Sequence, residues 1–361
     1  MAGTTTITTW TRELQQLHAK RAYGQITRRK YLVLVGFAAA LLGSVAVDIS
    51  SGPAGLTLAH VLTTLLWPTS VDPTMQVIVW DIRMPMALMA AVVGASLAVA
   101  GAEMQTILNN PLASPFTLGI SAAAGFGAAL AFVLGVSVIP FAGIFFVSAN
   151  AFVFALLASL FIYVFSKMRG VSTETMVLLG IALVFLFSAL MALMEYLASE
   201  QALQQVVFWT LGSLAKSSWP KIGIALAVLL ATMPYFMTQV WRLTALRLGD
   251  DKARSLGVNV ERLRLNVLIA VSLLAATSVS FVGTIGFVGL VGPHVARMLV
   301  GEDQRYFLPT SALAGAVLLS TTSVVSKSIV PGVLVPIGII TSLIGVPFFL
   351  SLIMVRRRQL W

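Results

Sequence analysis

The residues best suited to chemistry lie in a charged segment, WRLTALRLGDDKARSLGVNVERLR, that runs from Trp241 to Arg264 between two long apolar runs. Asp250 is placed to cap a short helix through Leu256, and Gly257 is of the type favoured just after a helix ends. Asn259 is placed to cap a second helix that leads into the next apolar run. We predict a rigid docking surface, with a solvated linker as the alternative. The nine charged residues are Arg242, Arg247, Asp250, Asp251, Lys252, Arg254, Glu261, Arg262 and Arg264.

Other ionisable residues do not form a catalytic or metal-binding pattern. His18, His60 and His294 are far apart in sequence, and the chain has no cysteine. The many serines and threonines of the apolar runs lack a neighbouring base, so a nucleophile is not predicted. A GxxxxGK[ST] phosphate loop is also missing. We therefore predict no metal site, no resident cofactor and no enzymatic activity, and any energy for transport must come from a partner.

Acidic residues distinguish an ion-coupled carrier from other membrane proteins, because such carriers usually keep ionisable groups near the bilayer midplane. Only Glu103 and Glu195 fall within the apolar runs, and both lie near the ends, where we expect a carboxylate to reach water. An ion-coupled secondary transporter is therefore the alternative rather than the favoured function.

The elements that must position these residues are transmembrane helices. The 361 residues are 58% hydrophobic and only 10% charged, whereas a soluble domain has about 25% charged residues. Apolar runs approach the roughly 20 residues of a membrane-spanning helix, and the alternation of membrane strands is missing. We predict an all-α polytopic membrane protein. Its expected spans are residues 31–49, 84–106, 116–136, 141–166, 174–196, 220–240, 265–282, 285–300, 307–327 and 335–355.

Basic residues orient these spans through the positive-inside rule. An even number of spans leaves both termini on one side. Placing them in the cytosol leaves only Arg83, Lys216, Lys221 and Lys327 of the 23 basic residues outside. The net charge of +10 thus reflects topology and does not indicate nucleic-acid binding. We expect residues 1–30 to be a basic cytosolic tail and residues 31–361 a single transmembrane domain.

Small residues recur where helices should approach closely, at Gly94, Ala98, Gly101 and Ala102 and in the glycine series from Gly283 to Gly292. Glycines at three-residue steps drift around an α-helix, so we expect the second series to be partly irregular and to end at Pro293.

Four stretches resemble the permease subunits of bacterial ABC importers for iron-siderophores, haem and cobalamin, which are FecCD-like type II importers. The resemblance extends from about residue 30 to the C terminus, with the motifs in the expected order. The stretches are RMPMALMAAVVGASLAVAGAEMQTILNNPLASPFTLGISAAAG (Arg83 to Gly125), LGDDKARSLGVNVERLR (Leu248 to Arg264), FVGTIGFVGLVGPHVARMLVGEDQRYFLPTSALAGA (Phe281 to Ala316) and PIGIITSLIGVPFF (Pro336 to Phe349).

The resemblance implies a permease that pairs with a second permease around a central path in the bacterial inner membrane. Two cytosolic ATPase subunits would bind ATP and Mg²⁺ below it, and a soluble substrate-binding protein would dock on the outer face. The charged segment matches the coupling element, which inserts into a cleft of the ATPase. The implied coupling residues are Gly249, Asp250, Asp251, Ala253, Arg254, Leu256 and Gly257.

Arg83 and Lys327 match family positions that receive acidic residues of the binding protein. The match is incomplete, because Met86 replaces a second arginine and Leu334 stands where the family often has glutamate. We therefore expect docking to depend on the two cations that remain. The alternative is that both side chains merely reach toward the membrane interface.

The gate and the path also follow from the resemblance. The turn with Gly170, Ser172 and Thr173 would form the cytosolic gate with its counterpart in the second permease, although a plain turn needs similar residues. The span that follows would line the path, although a stripe with this spacing is also typical of helix packing. The expected wall residues are Met176, Leu179, Leu183 and Leu186.

The cargo is the least determined feature. A ferric siderophore is expected because it is the commonest cargo class of the family, and haem and cobalamin are alternatives. We expect a homodimer in the lipid bilayer, since one chain has both outer cations and a complete coupling element. A heterodimer with a related permease is the alternative.

Overall fold

A computed structural model describes the backbone of residues 3–53, 55–139, 142–169, 172–330 and 332–356. Side chains are described within these ranges from Tyr23 onward, except at positions 169, 352, 353, 355 and 356. The described secondary structure is helical throughout. The α-helices are α1 (Gly3–Ser50), α2 (Leu58–Leu66), α3 (Pro73–Gln76), α4 (Met84–Ile107), α5 (Ile120–Leu134), α6 (Phe146–Arg169), α7 (Thr173–Leu197), α8 (Glu200–Thr210), α9 (Trp219–Thr238), α10 (Val240–Leu246), α11 (Asp250–Ser255), α12 (Val260–Val282), α13 (Val288–Val300), α14 (Gln304–Ser328) and α15 (Ile337–Arg356).

Tighter and wider turns connect some of these helices. A π-helical stretch, Val77–Arg83, joins α3 to α4 without a break, and short 3₁₀ turns occur at Pro68–Ser70, Pro115–Leu118 and Gly143–Phe145.

The membrane-spanning helices agree with the prediction. Among the described residues, seven helices are long and apolar enough to cross a membrane, and three shorter apolar helices accompany them. The shorter helices are Ile120–Leu134, Val288–Val300 and Ile337–Ser351. Each of the expected spans corresponds to one of these helices, so the prediction of an all-α polytopic membrane protein is confirmed.

Helix α4 is the centre of the bundle, and it packs against α12, α13 and α14. Every residue from Val93 to Ile107 is buried. A Cβ atom at Gly94 would overlap the backbone carbonyl of Gly315 in α14. One at Gly101 would overlap that of Gly289 in α13. The predicted small-residue contacts therefore bring three helices close enough for their backbones to touch.

The second glycine series is irregular at residues 283–287, between α12 and α13. We expected Pro293 to end this stretch, but it lies inside α13. A proline has no N–H to donate to the carbonyl four residues earlier, here that of Gly289. The Gln105 side-chain amide of α4 donates to this carbonyl at 3.4 Å. A neighbouring helix thus supplies the hydrogen bond that the proline cannot make.

We call the end of the bundle with residues 242–264 the charged end, and the other end the opposite end. Helix α1 begins at the charged end and continues from Gly3 through the first span to Ser50, so the N-terminal tail and the first span form one helix. The short helices α2 and α8 lie at the opposite end.

Candidate functional site

The charged segment folds into short helices with the turn chemistry that its sequence predicts. Gly249 and Gly257 have φ angles of 99° and 80°, which glycine adopts without strain. The N–H of Gly257 donates to the carbonyl of Arg254 at 2.9 Å and closes α11. The Asn259 side chain accepts the N–H of Arg262 at 2.9 Å and caps α12. Two tight turns therefore make this segment a defined element at the charged end.

Asp250 does not cap α11, contrary to the prediction. Gly249 is the N-cap residue, and Asp250 is the first helical residue. The Asp250 carboxylate instead forms a bidentate pair with Arg264, with Nη1–Oδ2 and Nη2–Oδ1 distances of 2.7 and 2.8 Å. A bidentate pair between two charged groups is stronger than a single cap hydrogen bond, which explains why the carboxylate turns toward the arginine.

Arg264 belongs to the interior although it starts from the charged segment. Its side chain is 2% exposed, and its Nε donates to the carbonyl of Ile107 at 2.8 Å. Ile107 is the last residue of α4, where helix carbonyls lack partners within the helix. The arginine therefore connects α11 and α12 to the end of the central helix.

The outward face of the segment is exposed and mixes apolar with charged groups. Leu248 and Leu256 are 57% and 65% exposed, whereas Ala253 is fully buried. The sequence predicts a helix through Leu256, but α11 ends at Ser255 and Leu256 turns outward. Asp251 and Arg254 are also exposed in this segment, and Arg254 Nη1 lies 3.8 Å from Asp251 Oδ1. This arrangement provides a surface on which a protein partner can dock.

A second set of contacts braces the segment against the turn between α13 and α14. Arg247 pairs with Glu302, and Arg297 Nε lies 3.2 Å from the same carboxylate. Arg297 also donates to the Gln105 side chain of α4 at 2.7 Å. The sequence indicated Arg247 but not Glu302, nor the pairing of Arg297 with Gln105 across 192 residues. The charged segment is thus held from two sides.

Asp303 follows that turn and caps α14, because its carboxylate accepts the N–H of Arg305 at 3.1 Å. The Arg305 side chain also donates to it, at 3.0 and 2.7 Å. These hydrogen bonds hold the pKa of Asp303 below its usual range, so the carboxylate is ionised at neutral pH.

Glu103 does not reach water, contrary to our expectation from its place near a span end. It is fully buried, and neither carboxylate oxygen has a hydrogen-bond partner among the described residues. The reason is that α9, α10 and α12 cover the end of α4.

Arg83 and Lys327, the expected docking cations, are buried at the opposite end. They are 4% and 6% exposed. Arg83 donates to the carbonyls of Ile49 and Ser50 at 3.1 and 2.8 Å, and Lys327 pairs with Asp48 at 2.8 Å. Both cations therefore hold the end of α1 in this conformation. Their role in docking stays a prediction, and the sequence did not indicate Asp48 as a partner.

Of the gate residues, the structure describes Ser172 and Thr173, and Gly170 lies outside the described residues. Ser172 is the N-cap of α7, and its hydroxyl accepts the N–H of Thr175 at 3.1 Å. Thr173 is the first residue of α7. Both are partly exposed at the charged end.

The predicted wall residues of α7 divide between the interior and the surface. Met176 and Leu183 are buried at 0% and 5% exposure in the packed core, and Leu179 is half-buried. Leu186 is 52% exposed. Helical periodicity shows which residues share one face of a helix, but it does not show which neighbouring helix packs on that face. Only Leu186 therefore presents an open surface, and the role of the four in lining a path stays a prediction.

Two cavities lie where irregular backbone enters the bundle. One of about 680 Å³ is bounded by the 3₁₀ turn at Phe116, the irregular residues Thr284 and Gly286, and α15 from Gly338 to Pro347. The other, of about 450 Å³, lies beside α8 and is lined by Gln201, Gln204, Gln205, Phe208, Trp209 and Lys216, among others. Irregular backbone at membrane depth is tolerated where it is buried or lines a cavity. Sequence periodicity could not identify these walls, because they are not periodic.

Comparisons with known proteins match nearly all of this fold. The model of the FecCD transport family matches residues 32–356. The chain is 39% identical over 339 residues to an ABC transporter permease protein of Methanocaldococcus jannaschii, covering 92% of this chain and 97% of the relative. It is 36% identical over 327 residues to the hemin transport system permease protein of Yersinia pestis, covering 91% and 97%.

A solved structure agrees with these sequence matches. It is described as an inward-facing conformation of a metal-chelate type ABC transporter, with a TM-score of 0.78, 31% identity, and coverage of 89% of this chain and 98% of that one. Relatives named for vitamin B12 and molybdate import are 35% and 34% identical over 80% and 88% of this chain. The names of the relatives therefore include more than one cargo.

Proposed function

The chain belongs to the FecCD transport family of ABC transporter permeases, and from that premise we propose how it works in an importer. It crosses the inner membrane of a bacterial cell with the charged end in the cytosol. Residues 248–264 of the charged segment are the coupling element, which docks on one of two cytosolic ATPase subunits, where ATP and Mg²⁺ bind. A second copy of the chain completes the translocation path.

The observation that carries this proposal is the form of the charged segment. Left-handed glycines and an asparagine cap define its shape, and Arg264 and Arg247 hold it against the bundle. Its outward face presents Leu248 and Leu256 beside Asp251 and Arg254. An element that must transmit force needs a rigid base and an exposed surface, and a solvated linker needs neither.

The proposed cargo is a ferric siderophore, delivered by a soluble binding protein at the opposite end. Support comes from the hemin permease and the metal-chelate transporter among the relatives. Haem and cobalamin are the alternatives. Uptake of radiolabelled ferric hydroxamate, haem and cyanocobalamin should be compared in host cells with and without the chain. Loss of ferric hydroxamate uptake alone is the expected result, whereas loss of either other uptake would reassign the cargo.

Docking of the binding protein is proposed to involve Arg83 and Lys327, which requires them to leave their contacts with α1. Met86 and Leu334 do not add charge to this surface. Acidic residues of the binding protein would then replace Asp48 and the backbone carbonyls as partners of the two cations.

Disruption of the exposed coupling face tests the proposed function. Leu256→Asp should weaken binding of the ATPase by about tenfold or more, because it places a charge in the apolar part of the surface. The measurement is co-purification of the tagged chain with its ATPase, followed by titration of the separated subunits.

Lys167→Glu is the matched control, because Lys167 is exposed at the charged end but belongs to α6. It should leave ATPase binding unchanged. Equal binding by Leu256→Asp and the parent chain would contradict the proposed docking face. Transport that survives without an ATPase and collapses with an ion gradient would instead establish an ion-coupled carrier.

A further inference from the structure

Arg264 is a buried charge at the junction of three elements. It lies in the first turns of α12, its guanidinium holds Asp250 of α11 through two hydrogen bonds, and its Nε donates to Ile107 at the end of α4. At 2% exposure it is among the largest fully buried side chains of the described protein. The coupling element and the central helix therefore share one side chain.

The burial of this charge makes the connection stiff. An arginine removed from water needs its counter-ion and its hydrogen-bond acceptors in place, because an uncompensated buried charge is strongly unfavourable. Asp250 therefore cannot move away from the bundle unless Arg264 moves with it. Arg264 in turn cannot move without releasing the Ile107 carbonyl, which lies at the negative end of the α4 dipole.

A packing contact connects the end of α4 to α7. The 3₁₀ turn Pro115–Leu118 follows α4 in the chain and packs against α4, α12 and α7. The contact with α7 is tight at Gly180, where a Cβ atom would lie 2.6 Å from the carbonyl oxygen of Thr117. A displacement of the end of α4 therefore reaches α7, the helix that begins with the gate residue Thr173.

We propose that Arg264 is the positioning residue that transmits displacement of the coupling element to the end of α4 and to the start of α7. The inference rests on the proposed function, because it presumes an ATPase that moves the element. Arg264 does not touch the cargo or ATP. Its role is to make α11, α12 and α4 move as one unit, so that nucleotide-driven motion reaches the gate.

The test uses the complete complex of the chain with its ATPase. Because the chain has no cysteine, Thr173→Cys provides a single reporter at the start of α7. The rate at which this cysteine reacts with a maleimide is measured with and without ATP. In the otherwise unaltered chain we expect ATP to change this rate by about fivefold or more, as coupled sites commonly do.

Arg264→Lys keeps the charge but loses the planar fork that holds Asp250 and Ile107 together. We expect the ATPase to bind and hydrolyse ATP as before, while the change in labelling rate is lost. A merely structural role would not separate these two readouts. Arg28→Lys, an exposed arginine of α1 outside the charged segment, should retain both. If Arg264→Lys does not yield a folded complex, Asp250→Asn removes the same pair from its more exposed side.

The outcomes separate the two proposals. An intact labelling response in Arg264→Lys, or in Asp250→Asn, would overturn the role of the arginine and leave the proposed function standing. Failure of the parent chain to retain any ATPase would overturn the proposed function and the inference with it.

Discussion

At the scale of single residues, buried ion pairs join distant parts of the chain at both ends of the bundle. The Lys327 and Asp48 side chains are 3% and 0% exposed, and the two residues are 279 positions apart in the sequence. Such a pair contributes little compared with two apolar side chains of similar volume. Removing one partner alone, however, leaves an uncompensated charge in the interior. Its energetic role is therefore visible only when the partners are changed separately and together.

Asp48→Asn should lower the free energy of unfolding by about 3–5 kcal/mol, because it leaves the Lys327 ammonium buried without a counter-ion. The double variant Asp48→Leu with Lys327→Met should recover most of this loss. Thermal unfolding of the detergent-solubilised chain, followed by circular dichroism, provides the comparison. If the single and double variants were equally unstable, the pair could not be the reason for the loss.

At the scale of elements, the packing of α4 depends on glycines, which have no side chain to separate the helices. Backbone atoms of Gly101 and Gly289 approach so closely that even a methyl group does not fit between α4 and α13. The Gln105 amide then reaches the Gly289 carbonyl that Pro293 leaves without its helical donor. The central helix thus supplies the hydrogen bond that α13 cannot make within itself.

Gly101→Ala should destabilise the chain by about 1–3 kcal/mol or more, because relief of the overlap requires α4 and α13 to separate. Gly43→Ala in α1 is the matched control, since no atom lies within 4 Å of the methyl group that it would add. There the better helix propensity of alanine should stabilise the chain by up to about 1 kcal/mol. Opposite shifts in the midpoint of thermal unfolding are expected, and a Gly101→Ala variant as stable as the control would show that the helices are not in contact.

At the scale of the whole molecule, burial is uneven across the bundle. Helices α4 and α12 are mostly inside, whereas α1, α7 and α9 are mostly exposed. Leu178 and Phe185 of α7 are 67% and 71% exposed. In a membrane such faces contact lipid or another subunit, and the N-terminus of α7 also has the proposed gate residues. We therefore expect part of α7 to face the second copy of the chain.

Ser172→Cys should form a disulfide across this dimer under mild oxidation and block transport, because the two gate turns would then be unable to separate. The measurement is the fraction of cross-linked dimer on a non-reducing gel together with uptake of ferric hydroxamate. Thr238→Cys, exposed at the charged end of α9, is the matched control and should not cross-link. Complete cross-linking with transport retained would exclude this turn as the gate.

Local signals in the sequence identified much of the fold and part of the site. The spans can be recognised in the sequence because a bilayer requires long apolar helices. The turns at Gly257 and Asn259 can be recognised because caps depend on residues within one turn. The sequence predicts Asp250 as a cap because a cap, too, is a contact between residues within one turn. Its carboxylate instead forms the stronger ion pair with Arg264, a side chain that comes near only in the folded chain.

The sequence by itself determined the membrane-spanning architecture, the small-residue helix contacts and the turns of the charged segment, because each of these depends on composition or on neighbours within a few turns. Only the tertiary structure decided that Arg264 reaches Ile107, that Lys327 is neutralised by Asp48, and that Met176 and Leu183 face the core. The physical reason is that a buried charge or an apolar stripe needs some partner, and many partners satisfy the local pattern equally well. The packing of distant helices selects which partner is within reach.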